Sequence, residues 1–318
     1  MSVVKKLPQV LLELTNNCNY RCVSCPQSIW QSPDFIHSPF DRPRGFMSFD
    51  LFGEIVEELF YSAEEINFSY FGEPMMHPRF LDCMSLLKKR PKGMRIVMNS
   101  NMSYVTKEIF EKLIEIGLDD LRISLDAASE KIYDIVRPGN YCVDLDGQPQ
   151  KNLRFETICE KVAYWHRLAD HTATRHVYTV GSQNYHEIYD FIATWQQHLG
   201  SKDVILFKNI LTYGGKMEDP LVKIGPCNNW DFGLLTIDWS GKVSACHLDT
   251  NMELQVGHVS KDRILDIMSS ERYQVVRDAS LKRKITPCDT CVDSNYWDNT
   301  VRIHKDTEVP DDIETYFV

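Results

Sequence analysis

Cys18, Cys22 and Cys25 stand at C-x3-C-x2-C spacing, directly after the apolar run Val10-Leu11-Leu12-Glu13-Leu14. Three thiolates on one tight loop can hold three irons of a four-iron, four-sulfur cluster and leave the fourth iron open, because soft sulfur ligands suit such clusters. An open position turns a structural metal site into a reactive one. Zinc is the alternative. It usually takes four closed ligands in paired C-x2-C spacings, and the three-residue first gap fits that pattern poorly. A second set, Cys227, Cys246, Cys288 and Cys291, follows C-x18-C-x41-C-x2-C spacing. Four thiolates can complete a second four-iron cluster, and a structural zinc ion is chemically reasonable there too.

These cysteines need elements to position them. Short apolar or β-branched runs predict strands at 10–15, 65–70, 94–99, 120–125, 175–180 and 203–207. Stretches of helical period lie between them. Ser48 precedes Leu51, Ile55, Val56 and Leu59; Thr106 precedes Ile109, Phe110, Leu113 and Ile116, with Gly117 as a stop. Six such units predict an α/β fold, a parallel sheet with helices outside. The first triplet follows the first strand, where the open end of a barrel carries its functional loops. Pro26 to Phe46, with Pro33, Pro39, Pro43 and Gly45, reads as a long loop and a candidate lid. A second irregular loop spans 137–150.

Gly214, Gly215, Pro220 and Pro226 mark a break. Beyond it, the runs 234–239 and 242–246 around Ser240-Gly241 predict a hairpin, and a helix is expected around 261–276. The expected division is a barrel over 1–210, a linker over 211–226, a cluster module over 227–300 and a tail over 301–318.

The chain has 318 residues, enough for one large α/β domain with a small appended module. Its 45 acidic and 35 basic residues give a net charge of −10, which argues against a nucleic-acid partner. An acidic surface attracts cations, although it also serves solubility. No apolar stretch is long enough to cross a bilayer, and the run Met1-Ser2-Val3-Val4-Lys5-Lys6 lacks the apolar core of a secretion signal. Ten cysteines in metal-like spacings predict a reducing cytoplasm.

The triplet, together with Tyr70-Phe71-Gly72-Glu73-Pro74 after the second strand, resembles the radical S-adenosylmethionine (SAM) superfamily. The resemblance implies a partial (β/α)6 TIM-like barrel. It also implies a cluster whose open iron binds the amino and carboxylate groups of SAM, and one-electron cleavage to a 5′-deoxyadenosyl radical. Gly72, Glu73 and Pro74 then stand at the motif that meets the ammonium, with Phe71 in place of the family's first glycine. Asn99 and Ser124, at the ends of strands three and four, are implied for the ribose and the methionine carboxylate. For Asn99 and the nearby Asn101, turn or cap chemistry is the alternative. Val180 and the following Gly181-Ser182 are implied for the adenine pocket, or else form an ordinary helix start. Ser24 replaces the aromatic residue that the family often carries before its third cysteine.

The four-cysteine tail resembles the twitch form of the SPASM auxiliary-cluster domain, and in pattern the chain is similar to the deoxy-scyllo-inosamine dehydrogenases of that subgroup. The resemblance implies two 4Fe-4S clusters and SAM as cofactors, a flavodoxin or ferredoxin as electron donor, and a small polar or cationic substrate. The function expected is dehydrogenation of a carbohydrate or aminocyclitol, with the protein aiming the cofactor's radical. A sugar or peptide epimerase, and a non-enzymatic iron–sulfur or zinc protein, are the alternatives. The few residues before strand one favour a small substrate over a peptide.

Three cysteines belong to neither set. Cys83 and Cys159 lie in helical patterns and read as buried small hydrophobes. Cys142, on the 137–150 loop, is a candidate hydrogen donor for an epimerase, or an inert loop thiol. Lys208, with Asn209 and Tyr213, is a candidate for substrate contact or base, or else a solvated charge.

Overall fold

The computed structural model describes residues 6–29, 40–150, 154–169, 172–211, 213, 227, 230, 234–291, 293 and 300–317. Strands and helices alternate from Val10 to Asn209. β1 (Val10–Leu12) leads through the cysteine loop and a single turn, α1 (Pro26–Ile29), to α2 (Phe49–Ser62). β2 (Glu65–Phe68) precedes α3 (Phe80–Leu86), β3 (Arg95–Ser100) precedes α4 (Lys107–Glu115), and β4 (Asp120–Ser124) precedes α5 (Glu130–Val136). A short hairpin, β5 (Cys142–Val143) with β6 (Pro149–Gln150), leads into α6 (Arg154–Leu168); β7 (Ala173–Val180), α7 (Ile188–Trp195) and β8 (Val204–Asn209) follow.

Local chemistry explains the helix starts. The side chains of Ser48, Thr106 and Ser129 accept from the backbone N–H groups of Leu51, Ile109 and Ile132, each satisfying a donor that the helix itself leaves open. α2 then buries Phe52, Ile55, Val56 and Leu59 against the sheet. β1, β2, β3, β4, β7 and β8 pair in that order, all in parallel. This is the expected partial TIM-like barrel, and the strands fall within a few residues of their expected places.

β9 (Leu235–Ile237) and β10 (Lys242–Ser244) form the expected antiparallel hairpin, and β11 (Gln255–His258) pairs outside it. β9 also pairs in parallel with β1, setting Val10 opposite Leu235 and Leu12 opposite Ile237. The hairpin therefore extends the barrel's own sheet, with strand order β11-β10-β9-β1-β2-β3-β4-β7-β8 and, at the far edge, β12 (Thr300–Ile303). The helix expected around 261–276 is two helices, α8 (Ile264–Ser269) and α9 (Glu271–Leu281). Ser270 divides them, because its extended backbone ends the first and its side chain caps the second at Tyr273 N–H.

β12 (Thr300–Ile303) lies antiparallel on β8 and covers that edge. Beyond it Ile313 and Phe317 are buried, Phe317 against Phe207 at 6.3 Å between ring centroids. Most of the expected linker over 211–226 lies outside the described residues. Among the described residues no helix is long and apolar enough to cross a membrane.

Candidate active site

The cysteine loop is held on three sides. On one side Thr15 Oγ1 donates to the Gly45 carbonyl at 2.6 Å, and Asn16 Nδ2 donates to the Pro43 carbonyl at 2.8 Å. On another, Arg21 N–H donates to the Pro138 carbonyl at 2.7 Å and Val23 N–H to the Val136 carbonyl at 3.0 Å. The third side is the turn after β2. Glu73 N–H donates to the Asn17 carbonyl at 2.8 Å. Gly72 has φ +82°, and a Cβ there would lie 2.2 Å from the Thr15 carbonyl oxygen. Only glycine fits such an approach. Of the candidate lid, residues 30–39 lie outside the described residues, while 40–45 form a strap against the cysteine loop and the hairpin.

Cys18, Cys22 and Cys25 are half-buried thiols. Burial, with the neighbouring thiols, pushes Cys18 and Cys25 up to about 12; burial also raises Cys22, against the charge of Arg137. Iron requires the thiolate, so loading this loop releases protons. Cys18 Sγ accepts from Tyr20 N–H at 3.5 Å and faces Asn101 Nδ2 at 3.7 Å. Arg137 is buried and paired with Asp126, and its Nε is a buried donor without a hydrogen-bond acceptor. A buried cation with an open donor beside the thiols fits a bound anionic group, as an iron–sulfur cluster or the carboxylate of SAM would supply. Among the described residues no three His, Cys, Asp or Glu side chains gather around one ion position.

Glu73 is buried, and burial raises its carboxyl to about 7. Its Oε1 accepts from Ser100 Oγ at 2.9 Å and from Met75 N–H at 3.3 Å, and its Oε2 accepts from Asn101 N–H at 2.7 Å. Both oxygens are engaged by the end of β3 and by the Pro74 turn. The backbone of the Gly72 turn is what lies against the cysteine loop. Tyr70, Met102 and Asp126, just beyond β2, β3 and β4, take positive φ values of 109°, 64° and 57°. Such strain concentrates at functional strand ends.

Two hollows lie in the barrel, the first of them lined in part by this loop. The first is a small cleft bounded by Val23, Ser24, Asp126, Thr179, Gly181 and Asn184. Val180, expected at the adenine, is itself buried, and its two neighbours reach the cleft. The second is a cavity of about 150 Å³, whose lining includes Asn67, Tyr70, Asn99, Arg122, Lys208 and His247. Asn99 therefore faces this cavity, and its Oδ1 is buried without a hydrogen-bond donor. Ser124 is half-buried at the end of β4 and lines neither hollow.

In the tail, Cys227, Cys246, Cys288 and Cys291 are half-buried. Burial raises Cys246, Cys288 and Cys291, and the charges of other cysteines of this set raise them further, so the four lie within electrostatic range of one another. His247 and Leu248, directly after Cys246, reach the 150 Å³ cavity.

Cys142 is fully buried in β5 rather than open at a loop surface. Its Sγ donates to the Gln150 carbonyl at 3.6 Å, and it lines neither hollow. Cys83 is fully buried as expected, whereas Cys159 is half-buried at the margin of the core.

One cluster escaped the sequence. Arg42 Nη1 and Nη2 donate to Glu13 Oε2 and Oε1 at 2.8 and 2.7 Å, and Nη1 reaches Asp238 Oδ2 at 3.2 Å. Glu13 also accepts from the N–H groups of Phe71 and Trp239, at 3.3 Å each. The strap, β1, the turn after β2 and the hairpin thus meet at one carboxylate. The available signal was Glu13 itself, an acid inside an apolar run that must be paired if buried.

The Radical SAM superfamily model matches residues 12–193, more than half of the chain, and the SPASM model, an iron-sulfur cluster-binding domain, matches residues 227–292. A tungsten-containing aldehyde ferredoxin oxidoreductase cofactor-modifying protein of Pyrococcus furiosus is 26% identical over 88% of this chain and 86% of its own length. The solved structures that share the fold include the following two. BtrN in complex with AdoMet and 2-DOIA aligns with a TM-score of 0.56 at 15% identity, over 91% of this chain and 93% of its own. SuiB of Streptococcus suis, bound to the precursor peptide SuiA, aligns with a TM-score of 0.64 at 10% identity, over 93% of this chain and 73% of its own. The cofactors that accompany these two domains are 4Fe-4S clusters and SAM. With the thiol triplet after β1, the glycine turn after β2 and a match across most of the barrel, the chain belongs to the radical SAM superfamily.

Proposed function

We propose that this radical SAM enzyme dehydrogenates a small polyhydroxylated substrate of the carbohydrate or cyclitol class. In this reading Cys18, Cys22 and Cys25 hold the first cluster, and Cys227, Cys246, Cys288 and Cys291 hold the second. When bound, the first cluster and SAM supply a radical able to take a hydrogen atom from carbon. The chain's residues bind and orient. The Gly72 turn and Arg137 receive the amino-acid end of SAM, and the cleft at Ser24 and Thr179 receives its nucleoside. The substrate sits in the 150 Å³ cavity, where Asn67 and Asn99 offer acceptors to hydroxyl groups. Oxidation of a CH–OH group to a carbonyl removes one hydrogen atom, one proton and one electron.

The observation that carries the oxidative reading is the position of His247. It directly follows Cys246 and lines the same cavity as Tyr70 and Asn99. An electron leaving the substrate has a cluster ligand one residue beyond the cavity wall. BtrN, solved with 2-DOIA, shares the fold and supports this substrate class. A flavodoxin or ferredoxin in a reducing cytoplasm is the proposed reductant.

The test is anaerobic loading with iron and sulfide, which should give about eight irons per chain, followed by incubation with reductant, SAM and a polyol panel. Formation of 5′-deoxyadenosine with a product lighter by one pair of hydrogens supports the reading. Unchanged product mass with an inverted carbon marks an epimerase instead. Absence of SAM cleavage in fully loaded protein overturns the enzymatic reading.

A further inference from the structure

We infer that Lys161, on α6, is a positioning residue for the first cluster: its ammonium holds the turn after β3 so that the Asn101 amide presents a donor to Cys18. The inference rests on the reading of Cys18 as a ligand of that cluster. Lys161 is completely enclosed, at 0% exposure. Its Nζ donates to the Met102 carbonyl at 2.9 Å and to the Ser103 carbonyl at 3.1 Å. Among the described residues these two carbonyls are its hydrogen-bond partners, and no carboxylate forms an ion pair with it. Enclosing an ammonium in this way carries a large desolvation cost. Burial accordingly lowers it to about 8, and the charges of Cys142, Asp144 and Glu73 hold it up against that loss. A neutral amide could cap one carbonyl at less cost. The position uses what an ammonium adds, several donors diverging from one atom.

The turn that Lys161 grips is strained, and it leads to the thiols. Met102 takes φ +64°, a left-handed backbone that persists in a non-glycine residue only where its surroundings hold it. Val105 N–H reaches the Met102 carbonyl at 3.3 Å, and Val143 N–H reaches the Ser103 carbonyl at 2.9 Å. Lys161 bonds both carbonyls and so ties the two residues together. Held in this way, Ser103 N–H donates to Asn101 Oδ1 at 2.8 Å, and Ser103 Oγ lies 3.1 Å from Asn19 Oδ1. With its oxygen engaged, the Asn101 amide turns Nδ2 toward Cys18 Sγ, at 3.7 Å. The path from Lys161 to the thiol therefore runs through Ser103 and Asn101, with one hydrogen bond at each step.

Reduction adds negative charge to a cluster, so a donor fixed at a ligand sulfur favours the reduced form. If Ser103 loosens, the amide is free to rotate, and its oxygen then repels the sulfur that its nitrogen had faced. A residue that only fills space behind the strands would change stability and leave the potential alone. The effect of Lys161 should instead reach the potential, and should reach it through Asn101.

The test is a redox titration of the full chain with both clusters loaded, followed by electron paramagnetic resonance. The first cluster is identified as the signal that SAM perturbs. Lys161→Met keeps most of the side chain's length and removes its donors. It should shift the reduction equilibrium about tenfold toward the oxidised form, a fall of about 59 mV for one electron. SAM cleavage should drop about tenfold with a weak reductant and recover with a strong one. In the Asn101→Ala background the same substitution should shift the equilibrium less than about threefold, because the amide that Lys161 positions is gone. If Lys161→Met does not fold, Lys161→Gln replaces it, and the same cycle with Asn101→Ala is decisive. An unchanged potential in the folded single variant, or a full tenfold shift in the Asn101→Ala background, overturns the inference. A fully loaded wild type with no signal that SAM perturbs overturns instead the assignment of Cys18 to the SAM-binding cluster, so the two failures are told apart.

Discussion

Asn101 is fixed to Glu73 by a 2.7 Å hydrogen bond from its backbone N–H to Oε2, and this bond aims its side chain at the cysteine loop. Asn101 Nδ2 lies 3.7 Å from Cys18 Sγ and 3.3 Å from Asn19 Oδ1. Its Oδ1 accepts from Ser103 N–H at 2.8 Å, which sets the amide orientation. The turn after β2 therefore positions a donor, carried by the end of β3, at a thiol after β1. Donors to cluster sulfur stabilise the thiolate and tune the cluster's potential.

Asn101→Ala should make the first cluster harder to reduce and lower SAM cleavage by about tenfold or more. A redox titration followed by electron paramagnetic resonance checks this. An unchanged potential in loaded, folded protein would show that the amide has no influence on the cluster.

Gly72→Ala should be severely disruptive. The alanine methyl would sit 2.2 Å from the Thr15 carbonyl oxygen and 2.8 Å from that of Asn17, at a φ of +82°. The clash is with backbone, so no side chain can swing aside. The expected loss is about 3 kcal/mol or more, with reduced iron uptake by the adjoining loop. Urea unfolding and iron content are the measurements. Stability within about 0.5 kcal/mol of the parent would contradict the close approach.

Arg42→Met should strand Glu13. Burial raises the Glu13 carboxyl, while Arg42 holds it down; both side chains are almost fully enclosed, at 4% and 0% exposed. Removing one member of a buried pair costs about 3–5 kcal/mol. Adding Glu13→Gln should restore part of that loss, because a neutral amide need not be charged in the interior. A double mutant no more stable than Arg42→Met would refute the coupling.

The two cysteine sets and the six barrel strands were legible because each is local. Cys18, Cys22 and Cys25 lie within one loop, and each strand is its own short apolar run. The strap was not legible, because Arg42 is 29 residues from Glu13 and 196 from Asp238, and only the fold brings them together. The pairing of β9 with β1 was hidden for the same reason: Ser240-Gly241 announces a hairpin but not the strand it joins. The burial of Cys142 was not legible because turn residues surround it. Pairing of Cys142 with Gln150 in the β5–β6 hairpin turns its side chain inward. Arg137 was passed over within an Arg-Pro-Gly turn, where nothing local distinguishes a buried cation from a solvated one.

Acid should destabilise the fold through His166 and His176. Their Nε2 atoms are 2.8 Å apart, so one ring donates to the other, and the rings stack. Burial lowers both, His176 well below its ordinary value, and the His176 Nδ1 is buried without a partner. A histidine whose folded pKa lies below its unfolded value of about 6.5 binds its proton more readily when unfolded. Stability is therefore fully present above about pH 6.5 and declines as pH falls below it. The urea midpoint should drop between about pH 7.5 and 5.5, and His176→Gln should flatten that slope. A slope unchanged by the substitution would assign the acid sensitivity to other groups.

Cys142→Ala should leave product formation largely intact. An epimerase must return a hydrogen atom to the opposite face of its substrate carbon, and the donor has to line the substrate cavity. Cys142 is fully buried, bonds the Gln150 carbonyl and is absent from the cavity wall. The charge of Lys161 acts on the Cys142 thiol, and Lys161 Nζ itself donates to the Met102 and Ser103 carbonyls at 2.9 and 3.1 Å. The substitution removes one buried sulfur and should cost about 1 kcal/mol of stability. Turnover in deuterated water is the decisive measurement. A dehydrogenase places no non-exchangeable deuteron at the reacting carbon. If deuterium enters an inverted carbon, and Cys142→Ala abolishes that inversion in folded, fully loaded protein, then the thiol reaches the substrate and the oxidative reading falls.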